Sequence, residues 1–284
     1  MELELNNVVK SYGKKFAVNG LNIVFKPGVY GILGPNGAGK STTMRMVCTI
    51  EKPGKGIITY NGSDIYTMGG EYRSKIGYVP QKAGYYPDYT AGMFLKYIAG
   101  LKGIKNEEKV IKECLGIVNL WDVRDKKLRE FSGGMKQRIS IAQSLLNNPE
   151  ILILDEPTAG LDPDERMNLK NLISSFSDEK IIIFATHIVS DVEDIAGRVV
   201  ILDKGIIKIN EETGTLINNT KIKVWQCNLK DAKEVNSIKN NYKTSKVQYH
   251  NGTADVRVIS SVKPYENAVL VQAGLEEVYK EFIN

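Results

Sequence analysis

Apolar and polar positions alternate along residues 2 to 10 and again along 16 to 25, with Leu3 and Leu5, then Leu21, Ile23 and Phe25, on every second position. A period of two turns one side of an extended chain inward and the other outward, and Tyr12-Gly13-Lys14-Lys15 lies between the runs as a turn. The stretch predicts an antiparallel hairpin. Gly56 to Tyr60 predicts another strand, followed by Asn61-Gly62, residues that tolerate positive φ. Ile76, Tyr78 and Val79 lead as a strand into Pro80-Gln81, where the proline starts a loop. Val29 to Leu33, Ile151 to Leu154 and Ile181 to Ala185 differ, being apolar or glycine at consecutive positions. Such short apolar runs describe strands covered on both faces, as in a parallel sheet.

Helical spacing takes over elsewhere. Thr42 to Thr49 continues from a glycine-rich turn as a helix. Between 90 and 127, Phe94, Leu95, Ile98 and Leu101, then Val110, Ile111, Cys114, Leu115 and Val118, recur every three or four residues. The intervening charges, among them Lys105, Glu107, Lys109 and Glu113, make this a peripheral lobe suited to contact with partners. Ser132 stands at the N-cap of a further helix that stops before Pro149, and Asp162-Pro163-Asp164-Glu165 opens another to about Phe176. Val199 to Leu202 and Ile206 to Ile209 predict a hairpin around Asp203-Lys204-Gly205.

Beyond about residue 218 the pattern restarts. Ile222 to Trp225 reads as a strand, Ala232 to Ile238 as a helix, Asn251-Gly252 as a turn between strands, and Leu275, Val278, Tyr279 and Phe282 as one face of a last helix. The expected organisation is a large domain over residues 1–215, with a helical subdomain at about 85–145, and a small C-terminal accessory domain over 219–284. No catalytic pattern is present in the accessory domain.

Composition narrows the field. The 284 residues are 42% hydrophobic, enough for a large core, yet no apolar run approaches the ~18 residues of a membrane span. Residues 1–7 show no secretory leader. Cys48, Cys114 and Cys227 lack C-x-x-C spacing, which speaks against a disulfide framework or zinc site and fits a reducing cytoplasm. A net charge of +5 is too weak to demand nucleic acid.

The chemistry begins at Gly34-Pro-Asn-Gly-Ala-Gly-Lys-Ser41, a full match to G-x-x-x-x-G-K-[S/T] between a predicted buried strand and a helix. Glycines 34, 37 and 39 let successive N–H groups turn inward, and the helix dipole adds positive potential, so the loop suits a polyphosphate. Lys40 would reach the β- and γ-phosphates and the Ser41 hydroxyl would ligate Mg²⁺. Two carboxylates, Asp155 and Glu156, end one buried strand, and Thr186-His187 ends another. Adjacent acids closing a fully apolar strand need a partner charge, which points to a ligand site.

In order, the phosphate loop, Gln81, the Ser132-Gly133-Gly134 block, Asp155-Glu156-Pro157-Thr158, Asp162 and His187 resemble the ATP-binding subunit of ABC transporters, over residues 1 to about 215. The resemblance implies an α/β fold with a P-loop NTPase core, a mixed sheet, an antiparallel β subdomain and a helical insert, followed here by the small α+β appendage. It implies ATP and Mg²⁺ as ligands, with Asn36, Gly37, Ala38, Gly39, Lys40, Ser41 and Thr42 on the phosphates and Tyr12 stacked on adenine. Asp155, with Ser41 and Gln81, would serve the metal, Glu156 would act as general base, and His187 and Gln81 would act at the γ-phosphate. Ser132, Gly133 and Gly134 would face a nucleotide on another subunit, and Asp162 would lie at that seam, though it also suffices as a helix cap. Phe131 and Met135 depart from the usual Leu-Ser-Gly-Gly-Gln, so the contacts of that glutamine are not carried over.

The implied mechanism is head-to-tail closure of two such subunits on two ATP, then hydrolysis and reopening, which moves a separate membrane permease held by the helical lobe and the Gln81 loop. The other subunit is a homodimer or heterodimer partner, the location is cytoplasmic and peripheral on the inner face of the cell membrane, and nucleic acid is not an expected partner. The ending near Leu275 and the short insert look most like exporter-type subunits. The alternative is a soluble ABC ATPase acting on ribosomes or DNA. Against it stand a single ATP domain and a gap of only about fifty residues from Gln81 to Ser132, which leaves no room for a long coiled coil. A GTP switch is disfavoured because no Asn-Lys-x-Asp is present.

Overall fold

In the computed structural model, which describes residues 1–250 and 252–283, the first hairpin forms as the alternation requires. β1 (Leu3–Tyr12) pairs antiparallel with β2 (Lys15–Phe25), and Gly13 supplies positive φ at the turn. β3 (Gly28–Leu33) runs into the glycine loop and α1 (Lys40–Val47) follows it directly. β4 (Lys55–Tyr60) then returns to pair with β1, and Asn61-Gly62, both at positive φ, turn it into β5 (Ser63–Asp64). These strands make one antiparallel sheet in the order β2-β1-β4-β5.

Two short helices, α2 (Ile65–Met68) and α3 (Gly70–Ser74), lead to β6 (Ile76–Val79). The helical lobe comprises α4 (Ala91–Leu101), α5 (Glu107–Ile117) and α6 (Gly133–Leu145). Thr90 caps α4 by accepting from Met93 N–H at 3.2 Å, and a bridge between Thr90 and Lys127 closes the lobe at its base. α6 anchors the lobe, because the Gln143 amide on it donates to Tyr78 O of β6 at 2.9 Å.

β7 (Ile151–Asp155), α7 (Pro163–Ser174), β8 (Ile181–Thr186), α8 (Val189–Ile195), β9 (Arg198–Asp203) and β10 (Ile206–Glu212) complete the main sheet. Its order is β10-β9-β3-β8-β7-β6, with β3, β6, β7, β8 and β9 parallel. β10 joins β9 through Lys204-Gly205, a connection short enough only for antiparallel strands, so the sheet is mixed. β7 and β8 are buried at every position, which is the reason for their unbroken apolar runs. Tyr30, Ile32, Ile153 and Ile183 face a core shared with Met44 and Met46 of α1 and with Leu3, Leu5 and Leu21 of the antiparallel sheet. On the opposite face, Gly31 of β3 lies against Val192 of α8. The architecture is thus α/β, with the main sheet between the antiparallel subdomain and α1 on one side and a helical layer on the other.

Backbone contacts divide the chain into two compact units, Met1–Asn210 and the remainder from Glu211. The division lies inside β10, which continues three residues beyond the predicted Ile209. The C-terminal unit holds α9 (Thr213–Asn219), β11 (Val224–Leu229), α10 (Ala232–Asn241), β12 (Lys243–His250), β13 (Thr253–Ile259), β14 (Val269–Val271) and α11 (Leu275–Phe282). Its sheet is antiparallel, in the order β12-β13-β11-β14, over a core that includes Cys227, Leu229, Val235, Ile238, Val256 and Val258. The first strand starts at Val224, not Ile222, and of the predicted Asn251-Gly252 turn Asn251 lies outside the described residues.

Candidate active site

Register assembles the site. Leu33 pairs with Thr186, Asp155 with Ala185, and Val79 with Leu154, so the carboxyl ends of β3, β8, β7 and β6 lie level. Whatever follows those strands emerges on one edge, the place where open α/β sheets bind ligands. The followers are the glycine loop, His187, Glu156 and Pro80-Gln81. A cleft of about 280 Å³ at this edge is lined by Tyr12, Lys15, Ala17, the loop from Pro35 to Thr42, Gln81 and Glu156.

The loop holds its shape through its neighbours. Gly39 sits at φ 109, and a Cβ there would stand 2.4 Å from Ala17 O, so only glycine lets β2 approach this closely. On the other side Gly205 N–H donates to Ala38 O at 2.9 Å, and Gly205 O accepts from Asn19 N–H at 2.8 Å. The β9–β10 turn therefore ties the loop to β2, a contact invisible in the local pattern of either segment. Lys40 is buried, and its ammonium donates to Gly34 O at 2.6 Å and lies 3.8 Å from Glu156 Oε1. Burial pulls its pKa down, opposed by the charges of Glu156 and Asp155.

Asp155 is buried, and its Oδ1 has no hydrogen-bond partner. Burial raises its pKa, against which the neighbouring Ser41 hydroxyl acts. An orphaned carboxylate oxygen beside a hydroxyl is a set of hard oxygen donors, so these residues fit Mg²⁺. Gln81 is exposed at the rim. Glu156 is buried with φ at 52, and its N–H donates to Ala185 O at 2.8 Å. Its Oε2 lies 2.9 Å from His187 Nδ1 and accepts from the Thr186 hydroxyl at 3.4 Å. The His187 ring is 56% exposed, so one side meets the carboxylate and the rest faces solvent.

Tyr12, half exposed, borders the cleft next to Lys15 and Ala17. Ser132, Gly133, Gly134 and Asp162 do not line it. Ser132 caps α6 by accepting from Met135 N–H at 3.2 Å, and Ser132 and Gly133 are exposed. Asp162 caps α7, accepting from Glu165 N–H at 2.9 Å. The two caps are mechanically joined: a Cβ on Gly134 would meet Glu165 Cδ at 2.8 Å, and Glu165 pairs with Arg138 of α6 at 3.0 Å.

Sequence reasoning missed the buried Asp191 of α8. It accepts from the Thr158 hydroxyl at 2.6 Å and from Arg166 Nε, which fixes the turn after Glu156 against the helix after His187. The sole signal in the sequence was an acid four residues beyond His187, on a short helix with no strong apolar period.

Fold and site together define a P-loop nucleotide-binding protein. The family described as ABC transporter matches residues 18–159. The chain is 38% identical over 216 residues to the linearmycin resistance ATP-binding protein of Bacillus subtilis (strain 168), covering 74% of this chain and 70% of that protein. It is 39% identical over 213 residues to the bacitracin transport ATP-binding protein of Bacillus licheniformis, covering 74% and 69%. A solved dimeric structure of a post-hydrolysis state of an ATP-binding cassette, bound to ADP and Pi, superposes with a TM-score of 0.66 at 29% identity over 74% of this chain and 98% of that one. The chain belongs to the ABC transporter family as an ATP-binding domain, whose members bind and hydrolyse ATP.

Proposed function

We propose that this protein is the Mg²⁺-dependent ATPase subunit of an exporter, closing head to tail with another ATP-binding subunit to drive a separate permease. The observation that carries this reading is Glu156, set between Lys40 and His187 at the mouth of the phosphate loop. In this reading Asn36, Gly37, Ala38, Gly39 and Thr42 present backbone and hydroxyl donors to the phosphates, and Lys40 neutralises the β- and γ-phosphates. Ser41, Asp155 and Gln81 would hold Mg²⁺, which would supply charge neutralisation at the phosphate oxygens. Glu156 takes a proton from the attacking water, and His187 keeps that carboxylate aimed and contacts the γ-phosphate. Tyr12 stacks on adenine.

Ser132 and Gly133 are exposed away from the cleft, so they serve a nucleotide held by another subunit, with Asp162 at the seam. In this reading the working unit is a dimer. No helix among the described residues is long and apolar enough to cross a membrane. The permease is then another polypeptide, and the ATPase sits peripherally on the cytoplasmic face. The permease contact is the helical lobe beside Gln81, where Tyr86, Tyr89 and Tyr97 cluster within 6.2 Å between ring centres. Export accords with the relatives' names, one for linearmycin resistance and another, from Burkholderia orbicola (strain AU 1054), for Nod factor export. The unit from Glu211 serves as an accessory domain.

The test is to capture tagged Glu156→Gln protein with ATP from solubilised membranes of its own cells. A multi-span membrane protein in the capture supports the exporter reading. Ribosomal or chromatin proteins with no membrane partner overturn it in favour of a soluble ATPase.

A further inference from the structure

Tyr12 does not stand alone at the end of β1. Its hydroxyl donates to Glu51 Oε2, in the loop after α1. Glu51 is itself held, since Arg45 Nε lies 3.0 Å from Oε1 and Lys10 Nζ 3.4 Å from Oε2. Its backbone is tied back as well: Glu51 N–H donates to Arg45 O at 3.2 Å, and the Tyr66 hydroxyl lies 2.7 Å from Glu51 O. The Lys10 ammonium sits 5.6 Å from the centre of the Tyr12 ring and donates to Lys52 O at 2.8 Å. Glu51 is half-buried and does not line the cleft, so it can act on a bound nucleotide only through Tyr12.

Arg45 belongs to α1, the helix that opens with Lys40. The chain of contacts therefore runs from the phosphate loop along α1 to Arg45, across Glu51 and into the phenol of Tyr12. A tyrosine at a hairpin end otherwise samples several rotamers, and stacking on a base must arrest them at an entropic cost. A ring already oriented by a carboxylate lowers that cost, which is how preorganisation raises affinity. The hydrogen bond to Tyr12 foremost, then Arg45 and Lys10, hold the Glu51 carboxyl below its usual range against the effect of burial, so the acceptor stays ionised at neutral pH.

We propose that Glu51 is a positioning residue for the purine ring of the nucleotide, orienting Tyr12 and indexing it to the phosphate-binding helix through Arg45. This rests on the reading of the cleft as an ATP site with Tyr12 as its base platform.

The test separates base from phosphate by titrating Mg-ATP and Mg-tripolyphosphate, which has no base, onto the full chain. Glu51→Ala and Tyr12→Phe each weaken ATP about three- to tenfold, the range of one net hydrogen bond, and leave tripolyphosphate affinity unchanged. The double variant is no weaker than the worse single one, because both remove the same contact. Glu51→Gln, which keeps an acceptor for the phenol, retains most of the affinity. In turnover Glu51→Ala raises KM with kcat within twofold. Unchanged ATP affinity in Glu51→Ala, equal weakening of both ligands, or additive single effects overturns the proposal while leaving the ATP site intact. Wild-type protein that binds neither ligand brings down the ATP-site reading itself, and this proposal with it.

Discussion

His187 Nδ1 lies 2.9 Å from Glu156 Oε2, so the exposed ring and the buried carboxylate form one unit before any ligand is considered. Lys40 approaches the same carboxylate from the other side at 3.8 Å. Glu156 occupies the left-handed region at φ 52, which costs a non-glycine residue on the order of 1 kcal/mol and persists only where the surroundings impose it. Its N–H bond to Ala185 O and its side-chain contacts supply that imposition. The strain places the carboxylate at the cleft instead of continuing the line of β7.

Glu156→Gln keeps the shape and an oxygen acceptor for His187 while removing the carboxylate proposed as general base. Turnover should fall by about 10²-fold or more with ATP affinity preserved, as expected when a general base is lost. Phosphate release and equilibrium nucleotide binding measure the two separately, and near-normal hydrolysis would remove Glu156 from the mechanism.

Asp155 carries the opposite balance between stability and function. Because burial raises its folded-state pKa, the ionised form destabilises the ligand-free protein, and that penalty grows as pH rises from the ordinary carboxyl value through the raised one. Asp155→Asn should therefore increase the unfolding free energy at pH 7 without ligand, by up to about 1 kcal/mol, while abolishing Mg²⁺-dependent ATPase activity. A destabilised Asp155→Asn protein, compared by urea midpoint, would contradict this.

The sheet strands were legible because burial on both faces writes itself as consecutive apolar residues, and Asp155 and Glu156 stood out as acids ending such a run. The phosphate loop was legible because its glycines and Lys40 answer a local backbone demand. Asp191, Gly205 and Glu51 were not, since each gains its meaning from a residue distant in the chain: Thr158, Ala38 and Tyr12. α8 escaped notice for a related reason: seven residues with two buried side chains, Asp191 and Val192, carry too little period to read. Asp162 was read both as seam and as cap, and the structure shows the cap directly.

Asp191 is fully buried between Thr158, Arg166 and Lys170. Asp191→Ala leaves the Thr158 hydroxyl and two cations without their shared acceptor, which should cost about 2–4 kcal/mol of stability. The turn after Glu156 loses its anchor at the same time. Turnover should drop several-fold in protein that remains folded at low temperature, as circular dichroism and phosphate release would show. An unshifted denaturation midpoint would mean that Asp191 does not hold the two loops.

Acid should loosen the C-terminal unit through Glu277. Arg257 Nε donates to its Oε1 at 2.8 Å, Gly274 N–H donates to Oε2 at 2.8 Å, and the Ser245 hydroxyl donates to Oε1. Burial alone raises the Glu277 pKa, but these three donors outweigh it and the net shift is downward. A depressed folded-state pKa contributes stability that is fully present above the unfolded value near ~4.3 and is lost as pH falls through the folded value. Wild-type protein should thus lose stability in this unit below about pH 4, whereas Glu277→Gln, weaker by about 1–3 kcal/mol at pH 7, should show a flatter profile there. The chain has two tryptophans, Trp121 in the N-terminal unit and Trp225 in β11 of the C-terminal one. In a Trp121→Phe background, Trp225 fluorescence therefore reports on this unit alone, and parallel pH profiles for the two proteins would show that Glu277 does not titrate with unfolding.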